Sequence, residues 1–339
     1  MSTAILLALS TILSFAITAL SGKVLIPFLK KLKYGQTILD IGPKWHKAKE
    51  GTPTMGGLMF ILGIVVSILT VGATAMLIIK NPSVSQRLEI LRISAGVIMA
   101  LLFAAVGFID DYIKVVKKRN LGLTAKQKML LQILIAAAYL LMLYLGGDRQ
   151  TSVYIPFIAS IDLGIFYYPI SVFLIVGFVN AVNLTDGIDG LASSVTFVVA
   201  LGFMFASTIL NMVFPSYLSA ALAGGCLGFL VYNFYPAKVF MGDTGSMFLG
   251  GLTVALAFSI KQPLLIVLFG IIYLMEAGSV MLQVAYFKLT HGKRIFKMSP
   301  IHHHYEMSGW SEVKIVLVFS LVALVGSVLA IFSIINMIN

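Results

Sequence analysis

Charge is what this sequence has least of. Only 11% of its 339 residues are Asp, Glu, Lys or Arg, where a soluble globular domain carries roughly 25%. So few charges cannot cover a water-facing surface of this length, which argues against a soluble enzyme. Cysteine is almost missing too. The single Cys226 excludes an intramolecular disulfide and a thiolate metal centre. Lying in an apolar run, it reads as a small buried hydrophobe. The first residues lack the positive n-region of a cleavable leader, so the apolar stretch that follows is expected to stay as a membrane span. Internal repeats and low-complexity tracts are missing. The net charge of +11 would suit a nucleic-acid binder, but the basic residues sit in short loops between apolar runs. No nucleic-acid partner is expected.

What fills the chain instead is long apolar runs, 59% of residues being hydrophobic. Such runs without period-2 alternation predict membrane helices rather than barrel strands. The expected architecture is an all-α polytopic membrane protein, one domain over residues 1–339, with ten spans. These are Ala4–Leu29, Met55–Ile79, Ile93–Tyr112, Met129–Leu145, Ile170–Val182, Leu191–Phe214, Tyr217–Tyr235, Ser246–Ile260, Leu264–Phe287 and Val313–Met337. The fifth and eighth are short, as spans are where backbone opens onto a protein-lined cavity. Lys and Arg concentrate in alternate loops, around Lys30–Lys49, Lys114–Lys128, Lys238 and Lys288–Lys297. The positive-inside rule makes those loops cytoplasmic and puts both termini outside. The outer segment Thr151–Pro169, rich in Val, Ile, Tyr and Phe and broken by Pro156 and Gly164, predicts a β-hairpin on the membrane surface.

With only 13 acidic residues in the chain, their placement carries information. Glu89, Asp148 and Asp162 are expected outside; nearly all the others fall in or at the border of cytoplasmic loops, and three clusters mark the inner ends of spans. Asp110 and Asp111 open DDYIK; Asn180, Asn183, Asp186 and Asp189 lie in NAVNLTDGIDGL; Asp243 lies in FMGDTGS, downstream of Asn233. A single carboxylate at a span end often pairs with a nearby lysine in the headgroup region. Three clusters at one depth instead suggest a shared cavity. Gly187 and Gly190 would let a ligand or another backbone come close. Hard oxygen donors without cysteine point to Mg²⁺, usually held by one or two carboxylates plus substrate phosphates. Three consecutive residues, His302, His303 and His304, fan apart and converge poorly on one zinc ion. They are better read as phosphate contacts or loop anchors. Carboxylates, lysines and histidines at the lipid interface are what a diphosphate substrate requires.

Together with KEGTPTMGG at Lys49–Gly57 and PIHHHYE at Pro300–Glu306, these motifs resemble the polyprenyl-phosphate N-acetylhexosamine-1-phosphate transferase superfamily. Within it they are most similar to the phospho-N-acetylmuramoyl-pentapeptide transferase family. The resemblance runs in order from about Pro43 to Trp310. It implies transfer of phospho-N-acetylmuramoyl-pentapeptide from its UDP-linked precursor to undecaprenyl phosphate, giving lipid I and UMP. That is the first membrane step of peptidoglycan synthesis, and so of cell-wall biogenesis, cell shape and division. It also implies Mg²⁺, a homodimer, a bacterial plasma membrane and a cytoplasm-facing site. The family's ninth span is broken, and Glu276–Ser279 is the expected place here.

Carried over by motif, Asp243 is the principal metal ligand, with Asp186 a further candidate. Asp110 and Asp111 stand beside the attacking lipid phosphate. Asp186 and Asn183 border the diphosphate. Gly187, Ile188 and Asp189 line the uracil pocket, with Phe240 stacking on the ring. Asn233, Lys114, Lys126, Gln283 and His303 contact the sugar–phosphate region, flanked by His302 and His304, and Lys118 sits at the pocket wall. The expected chemistry is in-line displacement, which asks mainly for alignment and charge neutralisation. A covalent route through Asp186 is a second possibility. Two rival functions compete with this reading. A sister transferase using UDP-N-acetylglucosamine is disfavoured by PIHHHYE and GTPTMGG. A secondary transporter is disfavoured because its binding residues would lie near the midplane, where Glu276 is the only acid.

Overall fold

The structure is a computed structural model and describes residues 2–31, 49, 51–116 and 121–338. It is a helical membrane protein. Among the described residues the long helices are α1 (Thr3–Lys31), α2 (Gly57–Ile79), α3 (Val84–Val116), α4 (Ala125–Leu145), α5 (Tyr167–Thr185), α6 (Leu191–Ile209), α7 (Val213–Asn233) and α8 (Gly242–Ser259). They are followed by α9 (Ile266–Phe269), α10 (Ile271–Leu289), the short α11 (Ile301–Glu306) and α12 (Glu312–Ile338). Between α4 and α5 a two-stranded antiparallel hairpin pairs β1 (Ser152–Ile155) with β2 (Ala159–Asp162), Ser152 opposite Asp162. The hairpin is as expected. It is tied to α12 by the Tyr154 hydroxyl donating to the Ser333 carbonyl at 3.2 Å.

Eight of these helices are long and apolar enough to cross a bilayer, or nine with the bent pair Pro263–Phe269 and Ile271–Leu289 counted as one. The remaining expected crossing, α8, is different in kind: every residue from Thr244 to Ser259 is buried. It is a central post enclosed by protein, so its glycines, threonines and serines face helices rather than lipid. Around it the outer helices turn apolar stripes outward. On α4, Leu130, Leu134, Leu141 and Leu145 are all more than half exposed. In water such a stripe would drive aggregation; in a bilayer it is solvated.

Small residues bring α3 onto the post. A Cβ on Gly96 would lie 2.5 Å from Ala255, and one on Gly251 would lie 2.8 Å from Ala100. Such close approach is how membrane helices gain contact without a hydrophobic driving force between them.

Several boundaries differ from the sequence reading. α5 begins at Tyr167, not Ile170, so it is longer than the short span expected. Pro169, expected as the last residue of the outer segment, lies in the first turn, where a missing N–H leaves no bond unmade. Pro215 sits likewise in the first turn of α7, and the α6–α7 turn falls at Leu210–Met212, where Asn211 has φ +55°. α3 runs from Val84 because its polar first turns continue the helix, anchored where Arg92 Nη2 meets Asp148 at 2.7 Å. The break before α10 is at Gly270, an 82° bend, not at Glu276–Ser279, which is continuous helix. A Cβ on Gly270 would lie 2.0 Å from the Phe178 ring. The bend therefore sits where only glycine can pass that aromatic.

Candidate active site

The site begins with one more close approach. A Cβ on Gly107 would lie 2.2 Å from the Asp243 carbonyl, so the last turns of α3 ride directly on the first turn of α8. That start has no capping side chain of its own. Asp111 supplies it from the neighbouring helix. Its carboxylate accepts from the Asp243 N–H at 3.2 Å and from the Thr244 N–H and hydroxyl at 2.9 and 2.7 Å. These are orphan donors of a helix N-terminus, where an anion is also favoured by the macrodipole.

Asp110, one residue earlier, takes other partners. It accepts from the Leu123 N–H at 2.7 Å and pairs with Lys114 at 2.6 Å. Asp243 is the hub. One oxygen accepts from Asn183 Nδ2 at 2.8 Å; the other takes Lys114 and Lys128, each at 3.0 Å. The same Asn183 amide reaches the Ser246 hydroxyl at 2.7 Å.

Asp110, Asp111 and Asp243 thus offer ligand oxygens within 4.8 Å of one another. Three carboxylates so close repel, and two lysines offset only part of that. The set fits a hard divalent cation: all-oxygen donors, with Asp243 carrying the open side and Asp111 committed to the α8 cap. Asp186, at the C-cap of α5, is half-buried beside this group. Withdrawal from water, then the charges of Asp243, Asp111 and Asp189, push its carboxyl up to about 8.

Comparison with known proteins agrees with this geometry. Residues 93–261 match the family model described as glycosyl transferase family 4. Residues 49–61 match phospho-N-acetylmuramoyl-pentapeptide-transferase signature 1. The phospho-N-acetylmuramoyl-pentapeptide-transferase of Halalkalibacterium halodurans is 48% identical, covering 96% of this chain and 97% of its own. That of Heliobacterium modesticaldum is 46% identical over 94% and 95%. That of Listeria monocytogenes serotype 4b is 46% identical over 94% and 95%. The chain belongs to the phospho-N-acetylmuramoyl-pentapeptide transferase family.

The transferase signature has a visible structural task. Its Pro53–Gly57 stretch docks on the loop that leads into Asp243 and α8. The Phe240 N–H donates to the Pro53 carbonyl at 2.8 Å, and the Gly56 and Gly57 N–H groups donate to Phe240 and Met241 at 2.8 and 3.1 Å. Lys49 closes an ion triad, 2.7 Å from Asp189 and 2.6 Å from Glu312. Burial alone would lower the Lys49 pKa, but its hydrogen bonds to Asp189 and Glu312 outweigh that and raise it.

The other expected site residues of the transferase fall into two groups. Asp110, Asp111, Lys114, Asn183, Asp186 and Asp243 converge. Gly187 and Ile188 continue directly from Asp186, and half-buried Phe240 lies two residues before Gly242 on the docked loop. The rest hold the frame. Asp189 is buried, its second oxygen accepting from the Ala237 N–H at 2.8 Å. Asn233 accepts from Ser193 at 3.1 Å and donates to the Val239 carbonyl at 3.0 Å. Gln283 accepts from the Ile295 and Phe296 N–H groups at 3.1 and 2.9 Å. The histidines do fan apart: His302 Nδ1 meets Glu276 at 3.0 Å, His303 Nδ1 meets Glu306 at 2.6 Å, and His304 accepts from the Lys297 N–H at 3.1 Å. Lys126 is exposed, and Lys118 lies outside the described residues.

Lys128 is the residue that motif reading passed over in favour of Lys126. The signal was present. Thr124 and Gln127 form a capping box, each side chain bonded to the other's backbone N–H. That fixes where α4 starts and which lysine turns inward. Ser246, Thr244 and Glu312 were missed as well; each acts through contacts between segments far apart in sequence.

Proposed function

We propose that this transferase moves phospho-N-acetylmuramoyl-pentapeptide from its UDP-linked precursor to undecaprenyl phosphate, releasing UMP and forming lipid I. The observation that carries the reading is the group Asp110, Asp111 and Asp243 within 4.8 Å, flanked by Lys114 and Lys128, in a chain of this family. Mg²⁺ is the cation assigned to it, with Asp243 as principal ligand, Asp110 beside it and Asp186 a further candidate. When bound, the ion neutralises charge on the diphosphate and on the transferring phosphoryl group.

The remaining work belongs to the side chains. Lys114 bridges Asp110 and Asp243, so it stands where an incoming phosphate monoester needs a counter-charge. That monoester has a second pKa near about 6 and is largely dianionic at neutral pH. Asp110 therefore aligns the nucleophile more than it deprotonates it. Asp111 keeps the α8 N-terminus, and hence Asp243, in register. Lys128 and Asn183 fix the two oxygens of Asp243. The attacking oxygen displaces UMP in line at the β-phosphorus, and a diphosphate bond is exchanged for a diphosphate bond, so the reaction runs readily in both directions.

The setting proposed with it is a single integral domain of a bacterial inner membrane. It crosses ten times, counting α8, with both termini outside and the site toward the cytoplasm. There a soluble nucleotide and an inner-leaflet lipid meet. The resemblance implies a homodimer.

The test uses protein purified in detergent with undecaprenyl phosphate and Mg²⁺. UMP release and lipid product are followed with UDP-N-acetylmuramoyl-pentapeptide or UDP-N-acetylglucosamine. Product with the muramoyl substrate alone, abolished by EDTA and by Asp243→Ala, is the expected result. Product with the glucosamine substrate alone overturns the substrate. No product with either, from folded protein, overturns the activity.

A further inference from the structure

Glu276 has no place in the reaction as described, yet it is the costliest side chain in the bundle to keep. It lies within α10 with no exposed surface. An acid at such a position is expensive and is retained for a function. Its neighbours on the inward stripe of α10 are Ile272, Tyr273, Ser279 and Gln283, so no second charge on that stripe balances it. One carboxylate oxygen takes His302, the ring Nδ1 at 3.0 Å and the backbone N–H at 3.5 Å. The other oxygen, Oε1, and the far ring nitrogen of His302, Nε2, are buried and have no hydrogen-bond partner among the described residues. Buried polar atoms left unmatched in this way call for an explanation beyond stability.

The direction of the ring supplies one. A Cβ built on Gly187 would lie 2.2 Å from His302 Nε2. The imidazole edge therefore occupies the space a side chain at 187 would need. Gly187 is exposed on its other side and follows Asp186, whose carboxyl is close enough to feel the charges of Asp243 and Asp111. The turn from Asp186 to Asp189 is thus backed by His302 at Gly187 and begins at a carboxyl beside the carboxylate centre. Bonding of Nδ1 to Glu276 fixes the ring's orientation and places its N–H there, as a carboxylate does for a functional histidine.

We propose that Glu276 is a positioning residue of the transferase, acting through His302 to hold the Asp186–Asp189 turn against the carboxylate centre and so to set binding of the nucleotide substrate. This deepens the function proposed above and rests on it. Three full-length variants test it: Glu276→Gln, His302→Gln and Gly187→Ala, the last displacing the ring sterically while leaving the pair's chemistry intact. Each is expected to raise KM for the nucleotide substrate roughly tenfold or more, the range for a group that orients a functional ligand. KM for undecaprenyl phosphate is expected to stay within about twofold, as for a loss confined to one substrate's binding. The Glu276→Gln/His302→Gln double variant should be no worse than the poorer single one. Hydrogen exchange of the 186–190 amides, measured without substrates, should quicken in all three.

Unchanged kinetics and exchange in Glu276→Gln would overturn the proposal. So would effects that multiply in the double variant, or equal rises in both KM values. Should Glu276→Gln not fold, Glu276→Asp and His302→Gln decide the matter by the same readouts, because Gly187 itself is placed against the nucleotide. Wild-type protein inactive with every sugar nucleotide would overturn the function instead. The exchange measurement would then judge the link from Glu276 to the turn by itself.

Discussion

At Asp243 both carboxylate oxygens are engaged. Lys114 and Lys128 meet one oxygen and Asn183 the other. Two lysines on one oxygen would be redundant for a surface pair worth little. In a half-buried site holding a diphosphate they are preorganised counter-charges. Lys128→Ala is therefore expected to lower kcat about 10²-fold, the scale for losing one preorganised electrostatic donor. Exposed Lys126→Ala should change it by less than about threefold, as surface substitutions do. Steady-state rates of the two variants side by side check this, and equal losses would return Lys126 to the site.

Asp186 gives a second prediction at this scale. With its carboxyl pushed up to about 8, it holds a proton at neutral pH in the metal-free protein. The folded state binds that proton more tightly than the unfolded chain does. Its contribution to stability is thus full below the ordinary carboxylate range and fades as pH rises toward 8. A cation reverses the preference, because it favours the carboxylate. Metal binding at pH 7 should release a proton, and affinity should rise about tenfold per pH unit up to about 8, then level. Titration calorimetry in two buffers of different ionisation enthalpy reads the proton directly. Identical heats in both would show that Asp186 is already ionised.

Among elements, the contact of α3 with α8 matters most, because it brings Asp110 and Asp111 to Asp243. Gly107→Ala would drive a methyl group into the Asp243 backbone, 2.2 Å from its carbonyl. Backbone cannot rotate aside as a side chain can, so the helices must part. The expected cost is about 1–3 kcal/mol, seen as a lower Tm in detergent, with activity falling further because the carboxylate group opens. Gly72→Ala, where a Cβ meets nothing within 4 Å, is the control and should leave both unchanged. This scale also separates what sequence could disclose. Helices in contact with lipid advertised themselves as apolar runs, and the three acidic motifs announced the carboxylate group. The helices containing Pro169 and Pro215 begin earlier than expected because a proline suits a first turn as well as a loop, and the bend expected at Glu276–Ser279 falls at Gly270 because a glycine does not say which packing partner it admits. Phe178 against Gly270 is a contact across α5 and the α9–α10 bend, and local pattern carries no trace of it. The Lys49–Glu312 and Asp189–Glu312 pairings were hidden for the same reason.

For the whole molecule, the carboxylates lie at one end of the bundle and the β-hairpin follows the opposite end of α4. The proposed orientation puts the first toward the cytoplasm and the second outside. The chain is well suited to testing this, since its single cysteine, Cys226, is buried in α7 at 1% exposure and should give little background. Lys126→Cys marks the carboxylate end and Ser160→Cys the hairpin, and both positions are exposed. In intact cells a membrane-impermeant maleimide should label the cysteine at 160 and spare the one at 126. After permeabilisation it should label both. The reverse pattern would place Asp110, Asp111 and Asp243 on the outer face, away from a nucleotide made in the cytoplasm. The basic loops between α3 and α4 would then be on the side that the positive-inside rule disfavours. Labelling at 160 alone in intact cells would make the meeting of a cytoplasmic nucleotide and an inner-leaflet lipid a matter of geometry, because Lys126 shares the first turn of α4 with the Lys128 that holds Asp243.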